Sequence, residues 1–333
     1  MKILLSVVTA LALFGSAPVG AQKDNSLSCL KITADIRLPG RTTRYDYQSI
    51  DEQRRLLFIA HLGDNAVTVF DLKSQKVTKN ITGIPSPHGI LAVPEAGEVF
   101  VSATGADKVF VIEEKSLKVA GRVDAGHFPD GIGYDPGTNR IFVSDEFGKA
   151  VSVIDVSGLR PVHKIEIGGV VGNTHYDPVS GRIFTTDESA NELVEINPST
   201  MAITSRIKLP GCEGAHGFAI GKEPHEAYVT GEDNASLVVV DLANSRVTQR
   251  FSVGREPDVL AIDSELHLLY LSSESGVVGM FRISKHGLSE LCHGKLWAHA
   301  HTVSVDRVTH KVYFPLQDRN GVPDLRIMTP NLH

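Results

Sequence analysis

The chain has 333 residues, with 42% hydrophobic residues, 30 Gly, 16 Pro and a formal net charge of −6. That balance excludes collagen-like, low-complexity and disordered chains. With 33 Lys+Arg against 39 Asp+Glu, it also gives no electrostatic reason to expect binding to a phosphate backbone.

From the N-terminus, residues 1–21 read as an export signal. Lys2 supplies a positive n-region, residues 3–14 an apolar stretch broken only by Ser6 and Thr9, and Val19-Gly20-Ala21 a small-residue cleavage site. Cleavage after Ala21 gives a mature chain, 22–333, in the periplasm or secreted medium. The apolar stretch is shorter than the roughly 20 residues of a membrane helix, and no later stretch approaches that length, so no membrane span is expected after cleavage. Cys29, Cys212 and Cys292 form no CxxC pair and allow at most one disulfide. A chain this long can bury a core without covalent staples, so free thiols are the default expectation.

Residues 30–38 have the pattern of an outer strand without a partner. After them a unit repeats seven times. Its marker is an aromatic residue at Phe58, Phe100, Phe142, Phe184, Tyr228, Tyr270 and Tyr313, with spacings of 42, 42, 42, 44, 42 and 43. The surrounding texts, LLFIAH, EVFVSA, RIFVSD, RIFTTD, EAYVTG, LLYLSS and KVYFPL, are rich in β-branched and aromatic residues, as strands are. A second strand follows and ends, in the first five units, on Asp71, Glu113, Asp155, Asn197 and Asp241. Such residues close tight turns by side-chain to backbone hydrogen bonds. With one strand before each aromatic (GILAVP, GIGYDP) and one after each turn (KVTKNI, KVAGRV), a unit holds four short antiparallel strands. Units of 40 to 45 residues with four strands build β-propellers. The expected fold is all-β: a single domain, 22–333, forming a seven-bladed β-propeller with four-stranded antiparallel blades. The last unit, 301–330, has only three strands, so the N-terminal strand is expected to complete that blade and close the ring.

The texts TVFDL, SVIDV and AYVTGEDNASLVVVD (227–241) resemble the YVTN-type repeat, a secreted seven-bladed propeller group that includes YncE-like periplasmic proteins. The resemblance spans about residues 30–330 and speaks for the fold more than for any activity. Trp297 is the only tryptophan and no WD dipeptide occurs, unlike WD40 repeats. Some YncE-like proteins have been linked to single-stranded DNA; the net acidity here and the lack of a groove with interleaved aromatic and basic residues weigh against nucleic acid.

Twelve residues before each aromatic stand Asp46, His88, Asp130, Gly172, His216, Asp258 and His301. Asp and His make up about a tenth of the chain, so six hits in seven at one repeat position are not a product of composition. The position begins each innermost strand and is expected to converge on one mouth of the central channel. Gly172 breaks the ring, and Asn173 or His175 substitutes if the strand bulges there. Sixteen residues after each ring position come Leu62, Thr104, Glu146, Glu188, Glu232, Glu274 and Gln317, placing four glutamates at the same mouth. Clustered carboxylates favour a cation or titrate as a coupled set, and Asp, Glu and His together suit one divalent ion such as Zn, Mn, Mg or Ca. The candidate metal ligands are Asp130, Glu146, Glu188, Glu232, Asp258 and Glu274. The candidate ligand-binding residues are Asp46, His88, Asp130, His175, His216, Asp258 and His301. The same polar ring would equally serve as scaffold, tying loops to the inner strands.

The spacing of Asp130 with Glu146 and of Asp258 with Glu274, together with PHGI and HGFAIG, is similar to the streptogramin lyase propellers. That resemblance implies a mouth-bound metal on Asp258 and Glu274, with His216 or His301 as the catalytic base of a C–O lyase or lactonase. The chain departs from it in carrying FVSDE, FTTDE, YVTGE and LSSE where those enzymes carry WFTE. His299-Ala300-His301 offers two imidazoles on one side of a strand, and Cys212 lies four residues before His216. No GxSxG elbow, P-loop or dinucleotide fingerprint occurs. His163, His225, His267, His286 and His310 map to blade edges or the opposite face as solvated residues. The sequence therefore points to a monomeric binding module whose mouth takes a small ligand, a metal or an extracytoplasmic partner protein, with the metal-dependent lyase as the alternative.

Overall fold

The computed structural model describes residues 27–332, so the expected signal segment lies outside the described residues. Twenty-eight strands occur within them, with two single helical turns at Leu62–Asp64 and Thr104–Ala106. No described helix is long and apolar enough to cross a membrane. The strands form seven four-stranded antiparallel sheets. Blades 1 to 6 are contiguous in sequence, at 48–82, 87–124, 129–166, 171–208, 215–252 and 257–295. Blade 7 combines Ser304–Asp306, Lys311–Arg319 and Val322–Pro330 with the N-terminal strand Leu30–Arg37 outermost. Leu30 pairs with Pro330 and Arg37 with Asp324, so the first strand closes the ring as expected.

Position within a blade explains each strand's composition. The second strand is covered on both faces by neighbouring blades, and Leu56–His61 accordingly buries Leu57 through His61. The outermost strand meets solvent, and Lys76–Thr82 exposes Lys76, Thr78 and Lys79 while burying Ile81. All seven repeat aromatics are buried. The core lies between blades: Phe58, Val67 and Val69 of blade 1 share one cluster with Ile90, Val99 and Val101 of blade 2. Asp71, Asp155, Asn197 and Asp241 cap the turns that follow them, as with Ser74 N donating to Asp71 Oδ1 at 2.6 Å. Glu113 closes its turn through its backbone carbonyl instead, accepting from Leu117 N at 2.9 Å.

Two expectations need correction. On the face opposite the mouth, His225 and His310 are not solvated but pair across blade seams with buried Asp177 (2.8 Å) and Asp263 (2.7 Å). Arg55 of blade 1 closes the seam to blade 7 in the same way on Asp306. His163, His267 and His286 are exposed. The second correction concerns sulfur: Cys29 and Cys292 form a disulfide, Cα to Cα 6.0 Å, tying the closing strand to the outer strand of blade 6. Only Cys212 is free. It is buried, and burial pushes its thiol up to about 12.

Candidate functional site: an acidic mouth around His216

A bulge aims the ring residues. In blade 3, Pro129 pairs with Asp145 and Ile132 with Val143, leaving Asp130 and Gly131 opposite the single residue Ser144. The same slip occurs in blades 2, 4, 5 and 6, each time at the ring position. A bulge of this kind redirects a side chain out of the pleat, here toward the axis. Hydroxyls of the preceding blade hold the bulged carbonyls: Ser102 Oγ donates to Asp130 O at 2.5 Å, Thr186 Oγ1 to His216 O at 2.7 Å, and Ser144 Oγ to Gly172 O. The glutamates that follow the second strands are set by their own backbone, with Glu146 N donating to Phe128 O at 3.2 Å and Glu232 N to Gly214 O at 3.0 Å.

Gly172 breaks the ring because nothing larger fits. A Cβ there would lie 2.5 Å from Thr186 Oγ1 and 2.9 Å from the His216 Cα. Asn173 takes the place at the axis, where its amide donates to the Tyr47 hydroxyl, which in turn donates to Asp258 Oδ1 at 3.1 Å. His175 does not reach the mouth. It faces the far half of the channel, with its ring 4.7 Å from Phe218, and burial pushes it down to about 4. The period-two alternation of the strand after the bulge carries it past the site.

The mouth is a cavity of about 530 Å³. Asp46, His88, Asp130, Glu146, His216, Glu232, Asp258 and Glu274 line it, together with Arg44, Tyr47, Phe128, Asp233 and Glu256. Glu188 and His301 stand behind this lining. His216 is the centre: Nδ1 is held by Glu188 at 2.6 Å, while Nε2 has Asp258 at 3.8 Å, Asp130 at 3.9 Å and Glu232 at 4.0 Å. Those three separations are too long for hydrogen bonds. A cation with bonds of about 2.0–2.2 Å to tetrahedral ligands would draw such atoms to about 3.4 Å, so the groups need to close in by only about half an ångström to share one. One ligand atom each from His216, Glu232 and Asp258 lies within 4.8 Å of the others, and Asp258, Glu274 and His301 form a second such trio. The imidazole nitrogen fixed by a carboxylate, with its other nitrogen facing acids, is the arrangement that orients metal-bound histidines. Asp130 Oδ1 is buried without any hydrogen-bond partner.

Burial dominates the electrostatics. It raises Asp130 well above the ordinary carboxylate range, Asp258 to about 8 and Glu146 to about 7, with His216 opposing in each case. Glu232 is raised for the same reason. Burial works against a charge on His216, but Glu232, Glu188 and Asp258 outweigh it and hold the imidazolium well above its usual range. Arg44, engaged by Glu274 and by Asp46 at 3.4 Å, is likewise kept charged against burial. His301 is 1% exposed and is lowered by burial and by Arg44; its Nδ1 lies 3.5 Å from Glu274, and its Nε2 has no partner. His299 is exposed, with Nδ1 3.9 Å from Glu274. Cys212 belongs to an apolar cluster with Leu209 and Phe218 and takes no part in the mouth.

Five lining residues escaped the sequence reading: Arg44, Tyr47, Phe128, Asp233 and Glu256. Three of them share one repeat position, two residues before the ring, so aligning the units at that column would have exposed them. Tyr47 follows a ring residue and had no repeat signal.

No family model and no curated protein matches this chain. Among solved structures, hydrazine synthase of Kuenenia stuttgartiensis is similar over 96% of this chain and 100% of that one, at 13% identity and a TM-score of 0.74. The WD40 repeats of RRP9 are similar over 91% and 100%, at 12% identity and 0.75. Virginiamycin B lyase from Staphylococcus aureus is similar over 90% and 99%, at 14% identity and 0.74. At such identities the likeness establishes the seven-bladed propeller and nothing finer.

Proposed function

We propose that the chain is an exported, YVTN-type binding propeller whose mouth takes one divalent cation on His216, Glu232 and Asp258, with Asp130 in support, and presents it to a small ligand. The observation that carries this reading is His216 itself, fixed by Glu188 on one nitrogen and facing three carboxylates at 3.8–4.0 Å with the other. Glu146 and Glu274 complete the acidic surround, and Arg44 already neutralises Glu274. Export is supported by the signal-like residues 1–21 and by the disulfide, which persists in oxidising compartments. An acidic mouth repels phosphate and disfavours nucleic acid. Titration calorimetry of residues 22–333 with Mn²⁺ and Zn²⁺ tests the site. About one equivalent should bind, and His216→Ala should abolish it while leaving the fold intact. Equal uptake by the variant overturns the reading.

One observation favours a second reading, a metal-dependent lyase or lactonase. Glu146, pushed up to about 7 by burial, stands in the same cavity and is poised for general acid or base work near neutral pH. It is a better proton carrier than His216, whose nitrogens both face carboxylates, or His301, which lies behind the lining. The fold shared with virginiamycin B lyase is compatible with this chemistry. Turnover of lactone and ester substrates by the metal-loaded protein, lost in Glu146→Gln, would establish it.

A further inference from the structure

The rim above the acids is not uniform. The residue two before the ring adopts a left-handed backbone in five blades: Ser86 (φ 44°), Phe128 (φ 64°), Gly214 (φ 64°), Glu256 (φ 52°) and His299 (φ 56°). This conformation is cheap for glycine and unfavourable for a bulky side chain. Blade 3 nevertheless places phenylalanine there, lining the cavity. Phe147, directly after Glu146, is 51% exposed, the opposite of where an aromatic ring of a folded core belongs. The two rings lie 4.7 Å apart, and His88 abuts Phe128 edge-on at 5.1 Å. An aromatic ledge therefore stands on one side of the mouth, beside Glu146 and the unpartnered Asp130 Oδ1. The only guanidinium or ammonium in the lining, Arg44, is already engaged by Glu274 and Asp46.

We propose that the mouth selects an organic amine carrying an aryl or other flat apolar group, its ammonium directed at the Glu146 and Glu232 carboxylates and its apolar part laid on Phe128 and Phe147. This deepens the reading of the mouth as a cation site and rests on it. An organic anion meets eight acidic side chains, and the lining's two cationic groups, Arg44 and His216, are already engaged by Glu274 and Glu188, so charge disfavours it. A neutral aryl compound gains the ledge alone. A bare alkylammonium gains the acids alone. Only the combined ligand uses both, and its cation also sits within reach of an aromatic face, which attracts positive charge to within about 6 Å.

The test is calorimetric titration of residues 22–333, at neutral pH and low salt, with benzylamine, benzyl alcohol, benzoate, methylammonium and, separately, Mn²⁺. Benzylamine is expected to bind about tenfold more tightly than each of the other organic probes. Phe147→Ser and Phe128→Gly, the latter retaining the left-handed backbone, should each weaken benzylamine about fivefold or more and leave Mn²⁺ affinity within about twofold. Equal binding of benzoate or benzyl alcohol overturns the proposal, as does an unchanged benzylamine affinity in both variants or no benzylamine binding up to about 10 mM. The two readings fail separately. Mn²⁺ uptake without amine preference removes the amine proposal alone, and amine preference without Mn²⁺ uptake removes the metal site alone.

Discussion

The lining acids and His216 respond to pH in one direction, and the lowered His175 and His301 respond in the other, below the ordinary histidine range. Glu146 ordinarily titrates near 4.5 and in the fold near 7, and Asp258 moves from 3.8 to about 8. At these acids the folded state thus retains protons that the unfolded chain has released, so their contribution to stability is greatest at low pH and is lost as pH rises through the folded values. His216 is raised too: its contribution is full below 6.5 and fades as pH climbs through its folded value, in the same sense. The cation-free protein should therefore melt lower at about pH 8.5 than at about pH 7, a range in which the lowered histidines are largely neutral in both states, and Asp258→Asn should flatten the difference. Thermal denaturation across that range checks this, and a melting temperature that climbs with pH contradicts it. Saturating Mn²⁺ should restore the loss, since the cation takes the place of the protons. The acids and His216 were legible as residues because each occupies one column of the repeat. Their protonation was not, because burial depends on how neighbouring blades close over them.

Among the elements, the inner-strand bulge decides where the site sits. The repeat spacing fixed the strands and their order in advance, yet the bulge left no trace in it, since the extra residue occurs in at least five blades and cancels from every interval. At Gly172 a bulge was allowed for, but it brings Asn173 to the axis, and the alternation after it carries His175 to the far half of the channel. The consequence at Gly172 is steric: Gly172→Ala drives a methyl into Thr186 Oγ1 and the His216 backbone. It should cost about 2 kcal/mol or more in urea unfolding and weaken Mn²⁺ binding, because the His216 carbonyl, held by the Thr186 hydroxyl, must move. Thr186→Val removes only the hydrogen bond to His216 O and should cost about 1 kcal/mol. Equal effects of the two substitutions would show that the close approach is not the constraint.

At the scale of the whole molecule, the ring is shut twice at one seam. The first strand completes blade 7, and the Cys29–Cys292 disulfide, spanning 263 residues, ties that strand to blade 6. Closure by the strand could be read from the three-stranded last unit. The disulfide could not, since three cysteines allow several pairings and only the folded ring brings these two together. Cys29→Ser should lower stability by about 2–5 kcal/mol, while deletion of residues 27–38 should abolish cooperative unfolding. Differential scanning calorimetry separates a lowered single transition from a lost one, and an unchanged transition in the deletion contradicts the role given to the seam.

Tyr47 reaches from blade 1 across the axis to Asn173 and Asp258. Its ring lines both the acidic mouth and the pocket beyond it, so it marks the boundary between them. A ligand entering from the acidic side meets that ring, tied by hydrogen bonds to two other blades, before it can reach the far opening. The two openings of the propeller therefore offer their surroundings different chemistries: acids and His216 on one side, and on the other a lining of Ile, Leu and Val residues where His175 stays uncharged.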